Sequence, residues 1–201
     1  AMLGERGVHM LDAPVSGGVK KAEQGTLAIM VGGEATIFER ARPVLEQIGT
    51  QILHLGDLGS GHTVKALNNL ISATTLSITA EAMTVGVKMG VDAEKMLAAI
   101  NAGSGRSASS ELKFPQQVLS GKFEPGFSLA LMSKDLGIAL DMANDNQVPV
   151  WIGAAVHELW KLGVAQGHGN QDHTAIVRLI EGFAQAQIRA ASLVREGVHS
   201  S

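Results

Sequence analysis

One proline-free run, GSGHTVKALNNLISATTLSITAEAMTVGVKMG from Gly59 to Gly90, carries the architecture. A glycine-rich turn leads into roughly thirty residues whose only charges past His62 are Lys65, Glu81 and Lys88, too few to solvate an exposed helix of that length. The run predicts one long helix buried on most sides. Val64, Leu67, Ile71, Ile78, Met83 and Val85 are its expected apolar ridges, and Lys65, Asn68, Asn69 and Ser72 form a polar patch near its start. Lys65 has no acid in its own turn, so it either snorkels past the helix start into water or faces a cleft where a substrate supplies its partner. Asn69, one turn on, favours the cleft, because a lysine and an amide at i and i+4 can hold and protonate one oxygen.

On the N-terminal side the periodicity changes. Val8–Val15 reads as a buried strand closed by Ser16-Gly17-Gly18, Thr26–Gly33 as a second strand, Ala35–Ile48 as a helix with Pro43 inside it, and Gln51–Leu55 as a third strand. No strand is expected past Gly56. The chain therefore divides into residues 1–57, a short α/β head with a bare sheet edge, and residues 58–201, an all-α bundle built around the long helix. The fold class is mainly α, and the abrupt opening reads as the back part of something longer. In the body, Asp92 caps a helix ending before Gly103, and 103–110 is a flexible polar connection. Further helices are expected over Ser109–Leu119, from Ser128 or Leu129 to Asn144, and from Pro149 to Val164. A last one follows Asp172, with Ile176, Leu179, Ile180 and Phe183 as its apolar face.

Composition narrows the function. A net charge of -3 without a basic block points away from nucleic acid and acidic membranes, and the absence of cysteine removes thiolate chemistry and suits a cytoplasmic protein. Asn, Ser and Thr interrupt the long helix too often for a bilayer span. Aromatics are only 3% of the chain against 24 glycines, so packing must rely on close approach of small residues.

Three stretches carry candidate chemistry. DAPVSGG (12–18) ends a strand in two glycines, and its backbone N–H groups with the Ser16 hydroxyl suit a carboxylate; an ordinary tight turn is the alternative. GDLGSGHT (56–63) has the glycine spacing of a phosphate-binding loop, but His62 stands where the lysine belongs, which argues against a nucleotide triphosphatase. In SKDL (133–136), Lys134 and Asp135 are adjacent and expected to point apart. His168, Asp172 and His173 lack metal-ligand spacing, so no metal is expected.

Together DAPVSGG, GSGHTVKALNN (59–69) and FSLALMSKDLGIALD (127–141) resemble the β-hydroxyacid dehydrogenase family, over nearly the whole chain but only the rear of the family's pattern. The resemblance implies NAD or NADP as cofactor and reversible oxidation of a small 3-hydroxy carboxylic acid. Lys65 then matches the catalytic lysine, Asn69 the substrate-holding amide, Ser16, Gly17 and Gly18 the carboxylate-binding loop, and Lys134 a lysine near the cofactor. The front glycine fingerprint is missing, so this stretch alone is expected to be inactive. Lys65 argues against the imine reductases, which share the architecture. A homodimer or homotetramer is expected, and the rival reading is a helical oligomerisation module.

Overall fold

The computed structural model describes residues 6–190; the outer ends of the two expected domains, residues 1–5 and 191–201, lie outside them. The described chain is mostly helical with one three-stranded sheet. Its contacts divide it into two units, residues 1–69 and 70–201, with the cut inside the longest helix.

In the first unit β1 (Val15–Ser16), β2 (Leu27–Val31) and β3 (Gly49–His54) lie in the order β1-β2-β3. β1 runs antiparallel to β2 with Val15 opposite Ile29, and β3 runs parallel to β2 through the crossover helix α2 (Ala35–Leu45). Ile29, Val31 and Phe38 close a small core with Leu11, Ala13 and Ile52. The expected buried strand over Val8–Val15 is cut back: only Asp12, in a bridge to Gly32, and Val15–Ser16 are paired, and Val8 and Met10 are exposed. Pro14 brings no N–H and serves only as acceptor for Met30, and the far edge has no partner among the described residues. The Ser-Gly-Gly turn does not form a hairpin either. A short helix α1 (Gly18–Glu23), not expected from the sequence, intervenes.

The long helix, α3 (Ser60–Lys88), is present as read, but rotated. Its buried positions in the second unit are Ala73, Leu76, Ser77, Thr79, Ala80, Met83, Thr84 and Gly86; of the expected ridge Met83 is buried, whereas Val64, Leu67, Ile71, Ile78 and Val85 are exposed. Small and hydroxylated residues can line a core because Thr74, Thr79 and Thr84 donate to the carbonyls four residues back, at 2.6–2.8 Å. They also allow close approach: a Cβ on Gly86 would overlap the Met96 sulfur. By length and composition α3, with a window of mean hydropathy 1.3, is apolar enough to cross a bilayer, against the expectation that its polar residues rule this out; 44% of that window is buried inside the fold.

Around it stand α4 (Ala93–Ala102), a π-helix (Ser109–Leu119), α5 (Leu129–Asp145), α6 (Trp151–Gly163) and α7 (Ile176–Ala184). Asp92 caps α4 as read, and of the two expected starts for α5 Leu129 is the first helical residue, with Ser128 as its cap. Pro149 lies two residues before α6 rather than within it. The 103–110 connection is tied down at its end, where Ser110 is buried and its hydroxyl accepts from the Ser107 N–H. On α7, Val177 replaces Phe183 on the buried face. Trp160 is fully buried and its indole N–H donates to Ser77 at 3.1 Å. Because Leu76 is fully buried in this core, Leu76→Ala is expected to lower the unfolding free energy by about 2–5 kcal/mol, read as a lower urea midpoint at unchanged slope.

Candidate active site

The start of α3 is held by a carboxylate. Asp12 accepts the Gly59 N–H at 2.6 Å, the His62 N–H at 2.7 Å and the His62 ring Nδ1 at 3.0 Å. Burial raises the Asp12 pKa, but the two backbone N–H bonds and His62 outweigh it, and the net direction is down. Backing is tight: a Cβ on Gly61 would collide with the Met30 carbonyl oxygen, and one on Gly32 with Asp12 itself. The phosphate-loop glycines therefore serve an internal anion, and the Gly59 and His62 N–H groups are already used.

Asp12 lies four residues before Ser16, and His62 three before Lys65. Ser16, Gly17, Gly18, Lys65 and Asn69 all fall within the first unit. Lys65 is half-buried and Asn69 buried, one turn apart on α3, and Asn68 donates to the Asn69 side-chain oxygen at 3.3 Å. At the end of β1, Gly17 has φ 143° and Gly18 φ 68°, and α1 starts with no side chain capping it. A side chain on Gly17 would run into Lys21 at 2.7 Å, so the loop's path requires glycine there.

Lys134 belongs to the second unit, on α5. Contrary to the expectation that neighbours point apart, its ammonium meets Asp135 at 2.7 Å, the flexible lysine stem folding back along the helix. Arg106 pairs with Glu111. Asp172, lowered to about 2, is pushed up by burial but more strongly down by His173 and Thr174. It caps the turn before α7 and accepts the Phe127 N–H. The described residues contain no group of three or more metal-binding side chains.

The motif reading passed over Asp12 as an anchor and Lys113 altogether. Lys113, on the π-helix, donates to the Ser72 hydroxyl at 2.8 Å. Burial lowers its amine to about 8, against the opposite pull of Asp172. Neither partnership has a local signal, since the partners are 41 and 47–50 residues away.

Two family models match the chain: residues 59–180 fit the NAD-binding domain of NADP-dependent 3-hydroxyisobutyrate dehydrogenase, and residues 1–56 the NAD-binding domain of 6-phosphogluconate dehydrogenase. The chain belongs to the β-hydroxyacid dehydrogenase family. Within that family it is 42% identical to 2-(hydroxymethyl)glutarate dehydrogenase of Eubacterium barkeri, over 88% of this chain and 59% of the relative. It is 34% identical to rat mitochondrial 3-hydroxyisobutyrate dehydrogenase, over 87% of this chain and 54% of the relative. Among solved structures, 3-hydroxyisobutyrate dehydrogenase of Mycobacterium tuberculosis with L-serine superimposes with a TM-score of 0.81 at 34% identity, over 88% of this chain and 62% of that one. The chain thus spans little more than half the length of these relatives.

Two ionisable anchors give predictions with defined signs. Asp12→Ala leaves two N–H groups without their acceptor and is expected to cost about 1–3 kcal/mol at neutral pH. Because the folded pKa is depressed, that contribution is present above the ordinary carboxylate range. The loss should therefore shrink as pH falls through the lowered value, followed by denaturation at a series of acidic pH values. For Lys113 the sign is opposite. The unfolded chain keeps its proton to about 10.5 and the folded chain only to about 8, so stability rises with pH between those values. Lys113→Met should flatten that rise and raise stability at pH 7 by about 1–3 kcal/mol in the same assay.

Proposed function

We propose that the chain is the rear part of a nicotinamide-dependent oxidoreductase that interconverts a small 3-hydroxy carboxylic acid and its semialdehyde or keto acid. The observation that carries this reading is the pair on α3: a half-buried ammonium, Lys65, one turn before a buried amide, Asn69, on a helix locked by Asp12 to the segment ending in Ser16-Gly17-Gly18. The names of the relatives support it, as does the L-serine in the tuberculosis enzyme, since serine is itself a 3-hydroxy acid.

In this reading the Ser16 hydroxyl and the N–H groups of Gly17 and Gly18 take the substrate carboxylate. Asn69 holds the reacting oxygen. Lys65 accepts the hydroxyl proton on oxidation and returns it on reduction, a general acid/base role. Bound NAD or NADP supplies the hydride acceptor or donor. The residues present fit one edge of such a cofactor: the Lys134 ammonium is exposed and suits an anionic or amide group, while no G-x-G-x-x-G occurs in the sequence. Lys134 is then an auxiliary contact, and the chain by itself is inactive.

The finer organisation follows the same reading. A remnant of a dinucleotide-binding domain ends near residue 57, an all-helical bundle around α3 makes up residues 58–201, the protein is cytoplasmic, and it assembles as a homodimer or homotetramer. Neither nucleic acid nor membrane is a partner. A role as a helical oligomerisation module without activity of its own is the second reading, favoured by the exposed apolar side chains of α3.

The test uses the full-length protein with a panel of 3-hydroxy acids and either nicotinamide cofactor. Lys65→Ala is expected to reduce kcat by roughly 10²–10⁴-fold with a smaller effect on KM, and Lys65→Arg to restore little of it. Full activity in Lys65→Ala would make the lysine structural and end the mechanism.

A further inference from the structure

Lys113 is a half-buried cation that the mechanism above does not use. Its ammonium donates to the Ser72 hydroxyl at 2.8 Å, and more hydroxyls stand behind that bond: Thr75 donates to the Ser72 carbonyl at 3.1 Å, and the buried Ser109 hydroxyl lies 3.1 Å from that of Thr75. No carboxylate among the described residues forms an ion pair with Lys113. Asp172, the acid whose charge it feels, has both oxygens engaged: Oδ2 accepts the Phe127 N–H, and Oδ1 accepts the Thr174 N–H and hydroxyl. Glu111, on the same helix, pairs with Arg106.

The helix that carries Lys113 is tied down around it. In a π-helix each N–H reaches the carbonyl five residues back, and Pro115 has none to give to Ser110. The Asn101 side-chain amide supplies that donor at 3.1 Å, and the Ser110 hydroxyl donates to the Ser107 carbonyl at 3.0 Å. At the other end of the contact, Ser72 follows Asn69 by three residues and Lys65 by seven on the single helix α3. It therefore stands on the face that carries them, about 5 Å beyond Asn69 along the axis.

We propose that Lys113 and Ser72 bind a carboxylate carried on a side arm of the substrate, so that the preferred 3-hydroxy acid is a dicarboxylic one. The inference rests on the function proposed above and adds to it the chemical class of the substrate. A cation held out of water with neutral partners lacks a counter-charge, and a carboxylate supplies it. An ammonium has donors beyond the one Ser72 takes, and Ser72, while accepting from Lys113, can turn its own hydrogen to the second carboxylate oxygen. One ammonium and one hydroxyl match a carboxylate; the three oxygens and double charge of a phosphate call for more donors than stand here. The stability that Lys113 costs relative to methionine is that of a group placed for a ligand rather than for the fold.

The full-length protein should be assayed with nicotinamide cofactor on matched pairs of 3-hydroxy acids, in which the arm on the carbon beside the carboxylate ends in a second carboxylate or in its carboxamide, a neutral group of the same shape, over several arm lengths. In its best pair the wild-type protein is expected to prefer the diacid by roughly 10²-fold in kcat/KM. Lys113→Met should lower kcat/KM for the diacid roughly 10²-fold more than for the amide, the difference lying in KM, with a urea midpoint at or above that of the wild type. Lys113→Arg should keep part of the preference, and Ser72→Ala should reduce it by roughly tenfold. Equal losses on diacid and amide would make Lys113 structural and overturn the inference. A wild-type protein that takes both alike, or that oxidises only 3-hydroxy monocarboxylic acids, overturns it too and leaves the proposed function standing. Failure to oxidise any 3-hydroxy acid overturns that function and this inference with it.

Discussion

The Asp12 carboxylate is the constraint on which the candidate site depends. A helix N-terminus leaves N–H groups without partners and carries a partial positive charge, and one buried carboxylate in place of water answers both. Here each oxygen of Asp12 takes one of those N–H groups, and Gly32 and Gly61 have no side chains because no room is left for them. The first turns of α3 are thereby fixed to the segment that leads into Ser16-Gly17-Gly18. Lys65 and Asn69 sit in those first turns, so their direction is set by the cap rather than by long-range packing of the helix.

The same arrangement explains why GDLGSGHT has the look of a phosphate-binding loop. The geometry required is alike in both cases, a glycine turn that aims backbone N–H groups at an anion before a helix begins. The difference lies in where the anion comes from. An internal carboxylate occupies the position, and the absence of a lysine at residue 62 fits an anion that brings only one charge. The loop is a structural anchor, and the candidate residues Lys65 and Asn69 follow it on α3.

What could be read from the sequence was what is local. Asp92 caps its helix because the cap and its N–H partner are three residues apart, and Lys65 and Asn69 share a face because they belong to one helix. Reading failed where the partner is distant or where burial does not follow hydrophobicity. The Val8–Val15 run was apolar enough for a central strand, yet pairing stops where the neighbouring strand does. Lys113 carries no mark in sequence because Ser72 comes from another helix, and the Lys134–Asp135 pair was excluded by helix geometry that a four-carbon stem can circumvent. The rotation of α3 is the instructive miss: of the expected ridge only Met83 faces in, together with Leu76, while Val64, Leu67, Ile71, Ile78 and Val85 face out and alanine, serine and threonine fill much of the inner face.

That inversion follows from packing distance. On its inner side α3 buries Leu76 and Met83, but where α4 and α6 come closest it carries small residues, as Gly86 against Met96 and Ser77 against Trp160 show. Alanine and glycine permit the approach, while serine and threonine remain acceptable because their hydroxyls find a backbone carbonyl or an indole N–H and leave no buried polar group unmet. The apolar bulk that a core helix usually turns inward is then displaced to the other side. The exposed row Ile71, Ile78 and Val85 is the counterpart of an inner face that gives much of its length to alanine, glycine and hydroxylated residues.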